Sequence, residues 1–269
     1  KKPALVPHRM HQETWVCAVC HHGMDAEGNQ TLYAVGMEIQ HCVACHNPKM
    51  ENKPAVLVLA DGTVFKGNAI GKIGTTSGEI AFNTGMTGYQ EVFTDPSYHR
   101  QILIMNTSHI GNYGVHETRA ESCNMKIAGL VTKKFSNGYS RDAASGSLQD
   151  FMENDGCVGI SDIDTRALVR HIRNAGAMNA IISSEEFDVD VLQEKLKKVP
   201  SMEGLELVSK VSSKVSYEVG DKNAEFKVAL IDLGSKNNII RSLEERNCFV
   251  KVFPYNTAID EIITIQPNG

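Results

Sequence analysis

Two short units with the same cysteine spacing limit what the front of this chain can become. "WVCAVCHHG" runs from Trp15 to Gly23 and "HCVACHNPK" from His41 to Lys49, so Cys17 and Cys20 are answered by Cys42 and Cys45 after twenty-one intervening residues. Residues 1 to about 53 carry few long apolar side chains and little periodicity, so they cannot assemble a hydrophobic core unaided. A segment this small folds around a metal, a cofactor or a disulfide. Four thiolates at this spacing suit a tetrahedral zinc site. Each pair is also followed by a histidine, His21 or His46, which completes a CxxCH haem-attachment unit. Zinc requires neither histidine, so the reading favours two haem c groups, with zinc as the alternative.

The rest of the chain has a different character. Four of the seven cysteines and six of the ten histidines precede Met50, and Cys123, Cys157 and Cys248 stand singly. Sparing use of cysteine is typical of reduced, cytoplasmic proteins, and lone cysteines are expected as small core residues. The net charge of -5, with scattered lysines and arginines, offers no basic stripe, so nucleic acid is not an expected partner. No apolar run reaches bilayer-spanning length, and the opening "KKPALVPHRMHQ" lacks the apolar middle of a secretion signal. A membrane is not expected either.

From Pro54 the pattern becomes that of a globular fold. "AVLVLADGTVFKG" is two strand-like runs about Asp61-Gly62, a dipeptide that supplies the positive φ angles of a tight hairpin. "GEIAFNT", "RQILIMNT" and "IAGLVTKKF" are further strand candidates, which makes this stretch β-rich. After Gly159 helices are predicted: "SDIDTRALVRHIRNAGA" puts Leu168, Ile172 and Ala175 on one face, with Asp164 as N-cap and Gly176 as stop, and "DVDVLQEKLKKV" is amphipathic. The polar run 212–226 reads as a linker. Beyond it, "KVALIDLG", "SKNNIIRSLEERN" and "CFVKVF" make a first βαβ unit. One such unit cannot cover its own sheet, so Gly269 is not expected to be the natural end of this fold.

The phrases "LADGTVFKG", "GEIAFNTGMTGYQEVFTDPSYHRQIL", "SHIGNYGVH", "DIDTRALVRHIRNAGA" and "IDLGSKNNIIRSL" together resemble the small, glutamine-hydrolysing subunit of carbamoyl phosphate synthetase, in family order over residues 54–269. The resemblance implies an α+β N-terminal domain, β-rich with packed helices (50–211), a linker (212–226) and the first βαβ unit of an α/β class I amidotransferase domain (227–269). It implies docking on a large synthetase subunit, which holds the ATP and Mg, and delivery of ammonia to it through an enclosed tunnel. It places Ser97, in the Asp-Pro-Ser-Tyr phrase, at the L-glutamine site, where a hydroxyl can both donate and accept. Without the resemblance, Asp95-Pro96-Ser97 would read as a turn. The family's cysteine elbow, Gly-x-Cys-x-Gly, and its Gly-Pro-Gly-Asp loop are absent from these residues, and "DGCVG" around Cys157 is one residue short. No catalytic residue is therefore assigned, and the chain alone is expected to be inactive on glutamine. Lys236, Asn238 and Arg241 fit the family pattern but read as ordinary α/β construction. His99, His109, His116 and His171 lack spaced partners, and Asn112 reads as loop-shaping.

The front segment, residues 1–49, resembles the opening of multihaem class III cytochromes. That resemblance implies His21 and His46 as proximal iron ligands, His8 and His22 as distal ones, and His11 as a ligand of a third haem whose attachment unit is missing. Such haem attachment implies the periplasm, whereas residues 50–269 imply the cytoplasm. The internal Met50 and the two compartments lead to the expectation that two partial sequences are joined here.

Overall fold

The computed structural model describes residues 22–24, 30–32 and 53–269. Strands β1 (His22–Met24) and β2 (Gln30–Leu32) pair antiparallel. Residues 50–269 form one compact unit.

Seven strands of that unit close into a barrel: β3 (Pro54–Leu59), β4 (Val64–Gly71), β5 (Thr75–Asn83), β6 (Gln101–Met105), β7 (Gly129–Thr132), β8 (Val158–Ser161) and β9 (Asn179–Ser183), in the order β3-β4-β8-β7-β6-β5-β9. The hairpin between β3 and β4 turns at Asp61 and Gly62, whose φ is 89°. Neighbours from β5 to β8 run parallel, and β9 completes the ring by pairing antiparallel with both β3 and β5. Side chains alternate as a pleat requires. Leu57, Ile80, Ile102, Ile104, Val131, Ile160 and Ile182 share the interior cluster. Leu103, Met105 and Leu130 face outward and are still fully buried, because helices α1 (Tyr89–Thr94) and α2 (Leu148–Asn154) cover them with Phe93, Leu148 and Met152. Strands buried on both faces read as unbroken apolar runs rather than alternating ones.

Helix α3 (Thr165–Ala175) starts where the Asp164 carboxylate accepts the Ala167 N–H at 3.0 Å and stops at Gly176. It inserts Leu168, Val169 and Ile172 into the interior cluster, while Ala175, predicted on that face, is exposed. Helix α4 (Val189–Leu196) lays Leu192 and Leu196 on Val56, Val58 and Ile181. After the short helix α5 (Val208–Val211), β10 (Tyr217–Val219), β11 (Phe226–Asp232) and β12 (Cys248–Pro254) make a second sheet in the order β10-β12-β11. Strands β11 and β12 are parallel and are joined by α6 (Asn237–Glu244), whose Ile240 packs on Val250 and Val252. Helix α7 (Ile259–Ile263) follows.

Four expectations need correction. Helices α1 and α2 precede Gly159, in the stretch read as β-rich, whereas the helices named from sequence all follow it. Strands β8 and β9 are absent from the sequence reading. Strand β10 lies inside the run read as a linker, where β12 gives it a partner. Cys123, expected in a core, is exposed, whereas Cys157 and Cys248 are buried.

Candidate functional site

The Gly-Tyr-Gln-Glu phrase builds the site by anchoring α1. The Tyr113 hydroxyl accepts the N–H groups of Gly88 (2.7 Å) and Tyr89 (3.0 Å), and the rings of Tyr89 and Tyr113 stack with centroids 4.0 Å apart. The Tyr89 hydroxyl donates to the Gly114 carbonyl at 2.7 Å, and burial raises its pKa, as it does for Tyr113. The Gln90 side chain closes a two-bond ring with the His116 backbone, at 2.8 and 2.7 Å. With these polar groups satisfied the start of α1 is fixed, and the six-residue helix carries that anchor to the turn that follows it.

That turn is Pro96–Tyr98, a single 3-10 turn. The carboxylate of Asp95, 6% exposed, does two things. Its Oδ1 accepts the Ser97 N–H at 2.9 Å, and its Oδ2 lies 2.7 Å from Nζ of Lys236. The hydrogen bond to Asp95 comes first among the causes that raise the Lys236 pKa, with burial working the other way. Ser97 itself is exposed. The Tyr98 hydroxyl accepts from Asn83 at 3.0 Å, which pins the far side of the turn to the end of β5.

Lys236 belongs to the connection between β11 and α6, so this ion pair joins the barrel to the α/β unit. The connection passes very close to the barrel. Gly234 has φ 103°, and a Cβ there would lie 2.9 Å from Val211 and 3.2 Å from Pro96, so only glycine fits. Asp232, at the end of β11, accepts N–H groups from Gly234 (2.9 Å), Ser235 (2.8 Å) and Ser213 (2.7 Å). Burial favours its neutral form, yet these donors outweigh that and hold its carboxyl below the ordinary value.

A second carboxylate grips the other side of the connection. Glu121, 8% exposed, accepts the Asn238 N–H on Oε2 at 2.8 Å and lies 3.6 Å from the Arg241 guanidinium. Its carbonyl accepts the Asn237 N–H at 2.9 Å, and its own N–H is held by Thr94 at 2.8 Å. A negative charge at the first turn of α6 satisfies an orphan donor and suits the helix dipole. The arrangement therefore sets the turn that carries the exposed Ser97 beside the connection leaving the carboxyl end of β11. In α/β sheets that end is where ligands bind.

Of the residues predicted for a site, the structure places Ser97 at this junction. Cys17, Cys20, Cys42, Cys45, His8, His11, His21 and His46 lie outside the described residues, and His22 opens β1. Among the described residues no group of three or more His, Cys, Asp or Glu is arranged to hold a metal, and no helix is long and apolar enough to cross a membrane. Burial, reinforced by the charge of Asp155, pushes the Cys157 thiol up to about 12, which leaves no thiolate near neutrality. His171 pairs with Asp61 at 2.5 Å, and His116 accepts from the Thr118 N–H at 3.3 Å, so both serve local structure. Lys236, Asn238 and Arg241, read as ordinary construction, prove to be contacts of the junction. Glu121 has no signal in the sequence, because the partners of its side chain stand 117 residues or more away.

Residues 57–182 match the family model described as carbamoyl-phosphate synthase small chain, CPSase domain. The chain is 42% identical over 237 residues to the carbamoyl phosphate synthase small chain of Synechococcus sp., a match covering 84% of this chain and 61% of that one. It is 41% identical over 220 residues to that of Chlorobaculum tepidum, covering 82% and 60%. With that of Bifidobacterium longum it shares 41% identity over 238 residues, covering 82% and 58%. The chain thus spans about six-tenths of the length of these relatives. The family model and the relatives together support the carbamoyl phosphate synthase small chain family.

Proposed function

We infer that residues 53–269 act as the barrel domain and first βαβ unit of the glutamine-hydrolysing component of a carbamoyl phosphate synthase. In this reading Ser97 contacts L-glutamine, and the barrel docks on a large subunit that holds ATP and Mg and receives the ammonia, in the cytoplasm. The observation that carries it is the double grip of Asp95. One carboxylate oxygen fixes the Ser97 amide and the other holds Lys236, so the turn that carries Ser97 is tied to the connection that leaves β11. Amide hydrolysis needs an activated nucleophile and oxyanion donors. Among the described cysteines, Cys157 and Cys248 are buried and Cys123 is exposed, and none sits on a strand-to-helix elbow. In this reading the nucleophile belongs to a different stretch of polypeptide, and residues 53–269 bind and position without cleaving.

The test has two arms. The 269-residue chain is expected to release no ammonia from glutamine and to be captured by a synthetase large subunit. In a chain extended through the amidotransferase domain, Ser97→Ala is expected to raise the glutamine KM about tenfold, the loss of one hydrogen bond to a charged or polar group. Hydrolysis by the 269-residue chain, or an unchanged KM, overturns the reading.

For residues 1–49 the paired CxxCH units support two c-type haems, with His21, His46, His8 and His22 on iron, in a periplasmic setting. Sharp reduced bands in the visible spectrum and the added mass of two haems are expected, whereas colourless protein with stoichiometric zinc favours the alternative.

A further inference from the structure

The two carboxylates at the junction are not equivalent. Asp95 touches the turn that carries Ser97, whereas the Glu121 carboxylate touches only α6, yet Glu121 is nearly as buried and its backbone and side chain together are bound from four directions. Thr94 holds its N–H, Asn237 its carbonyl, and Asn238 and Arg241 its side chain. Arg241 also donates to the Thr118 carbonyl at 3.3 Å, and Asn237 Nδ2 to that of Ala120 at 3.2 Å, so the whole segment 118–121 is laced to the first turns of α6.

This lacing has a consequence for chemistry. A free helix N-terminus following the first strand of an α/β unit attracts anionic ligands, because its N–H groups have no partners. Here Glu121 supplies the anion from within the chain, so the helix start is committed to the barrel. The spacing between the turn that carries Ser97 and the start of α6 is then set by two fasteners, Asp95–Lys236 and Glu121–Asn238–Arg241. One fastener alone leaves a hinge about itself, and two remove it. Placement matters because a hydrogen bond to a bound substrate holds only over donor–acceptor distances of about 2.7–3.2 Å, so a small shift of the turn weakens binding.

We propose that Glu121 is a positioning residue for glutamine, acting through Asn238 and Arg241 to hold the α/β unit at a fixed spacing from Ser97. The inference rests on the proposed role of Ser97, and its tests are chosen so that the two can fail separately. The first uses the 269-residue chain and needs no substrate. Hydrogen exchange at the amides of Asn237 and Asn238 is expected to rise at least tenfold in Glu121→Ala, with an intermediate rise in Glu121→Gln, which keeps an acceptor but loses the charge facing Arg241. Exchange in β6 and β7 is expected to stay as in the parent chain, which shows that the barrel has folded. Unchanged exchange at Asn237 and Asn238 overturns the proposal.

The second test uses the extended chain in complex with its large subunit. Glu121→Ala is expected to raise the glutamine KM about tenfold with kcat within about twofold, and Arg241→Ala in the same background is expected to add little, since both act through one contact. A loss in kcat alone, or full additivity of the two substitutions, overturns the proposal. If Ser97→Ala leaves KM unchanged while Glu121→Ala loosens α6, the reading of Ser97 fails and the coupling of the two units stands.

Discussion

The hydroxyl of Thr94 shows how one atom connects the parts of the junction. It donates to the Gln90 carbonyl at 2.8 Å, within its own helix, and accepts the Glu121 N–H at 2.8 Å from a loop 27 residues later. The side chain is fully buried, so water cannot replace either bond. Thr94→Val preserves shape and removes the acceptor, leaving the Glu121 amide buried and unpaired. It is expected to cost about 1–3 kcal/mol in urea unfolding, with Thr94→Ser recovering most of that. Equal losses in the two variants would mean that the methyl group, and not the hydroxyl, matters. Nothing in "QEVFTD" marks Thr94 for this task, because the sequence displays the residue and hides the loop it meets.

At the level of elements, features that depend on neighbours in sequence were readable and features that depend on closure were not. Asp61-Gly62 gives the hairpin, and Asp164 with Gly176 bounds α3, since a turn or a cap is decided within a few residues. The apolar run of "KVALIDLG" gives β11. By contrast β8 is four residues and β9 five, too short for periodicity to separate strand from buried helix. Strand β9 earns its place only by pairing with β3, where Val56 faces Ser183, across more than a hundred residues. Strand β10, three residues long with only Val219 packed on the apolar cluster, exists because β12 offers an edge. The same closure explains Gly78 in β5, where a Cβ would lie 2.2 Å from the Arg100 carbonyl oxygen. Gly78→Ala is expected to cost about 3 kcal/mol, at the upper end for overpacking, because backbone rather than a flexible side chain stands in the way. A midpoint of urea unfolding within error of the parent would refute that crowding. Of the candidate site, Ser97 was legible through its phrase and family likeness, while Glu121 was not, since a buried carboxylate is recognisable only once its distant partners are known.

For the whole molecule, the dependence of stability on pH follows from the groups the fold perturbs. Burial, then the charges of Lys126, Arg100 and Lys210, hold the imidazole of His99 below its ordinary 6.5. The unfolded chain takes up that proton first, so stability falls as pH drops below about 6.5 and levels once the folded imidazole is also protonated. Asp61, Asp162 and Asp232 are held below 3.8 because hydrogen bonds outweigh burial, so their contribution is complete above that value and lost as pH falls through the folded values. Burial keeps Tyr89 and Tyr113 protonated above 10.0, so stability is lost on the alkaline side once the unfolded phenols ionise. The urea midpoint is expected to be flat between these limits and to decline in two acid steps, the first of which disappears in His99→Gln. A flat profile down to pH 4 would contradict the assignment. The ring of seven strands also restricts how another protein can attach. A closed sheet offers no unpaired backbone, so β-augmentation is barred along the barrel, and recognition there must be made by loops, helices and side-chain shape. Within residues 53–269 strand addition is confined to the flanks of the small three-stranded sheet, and on the β11 flank the main chain of Asn268 and Gly269 already pairs with Lys227 and Ala229.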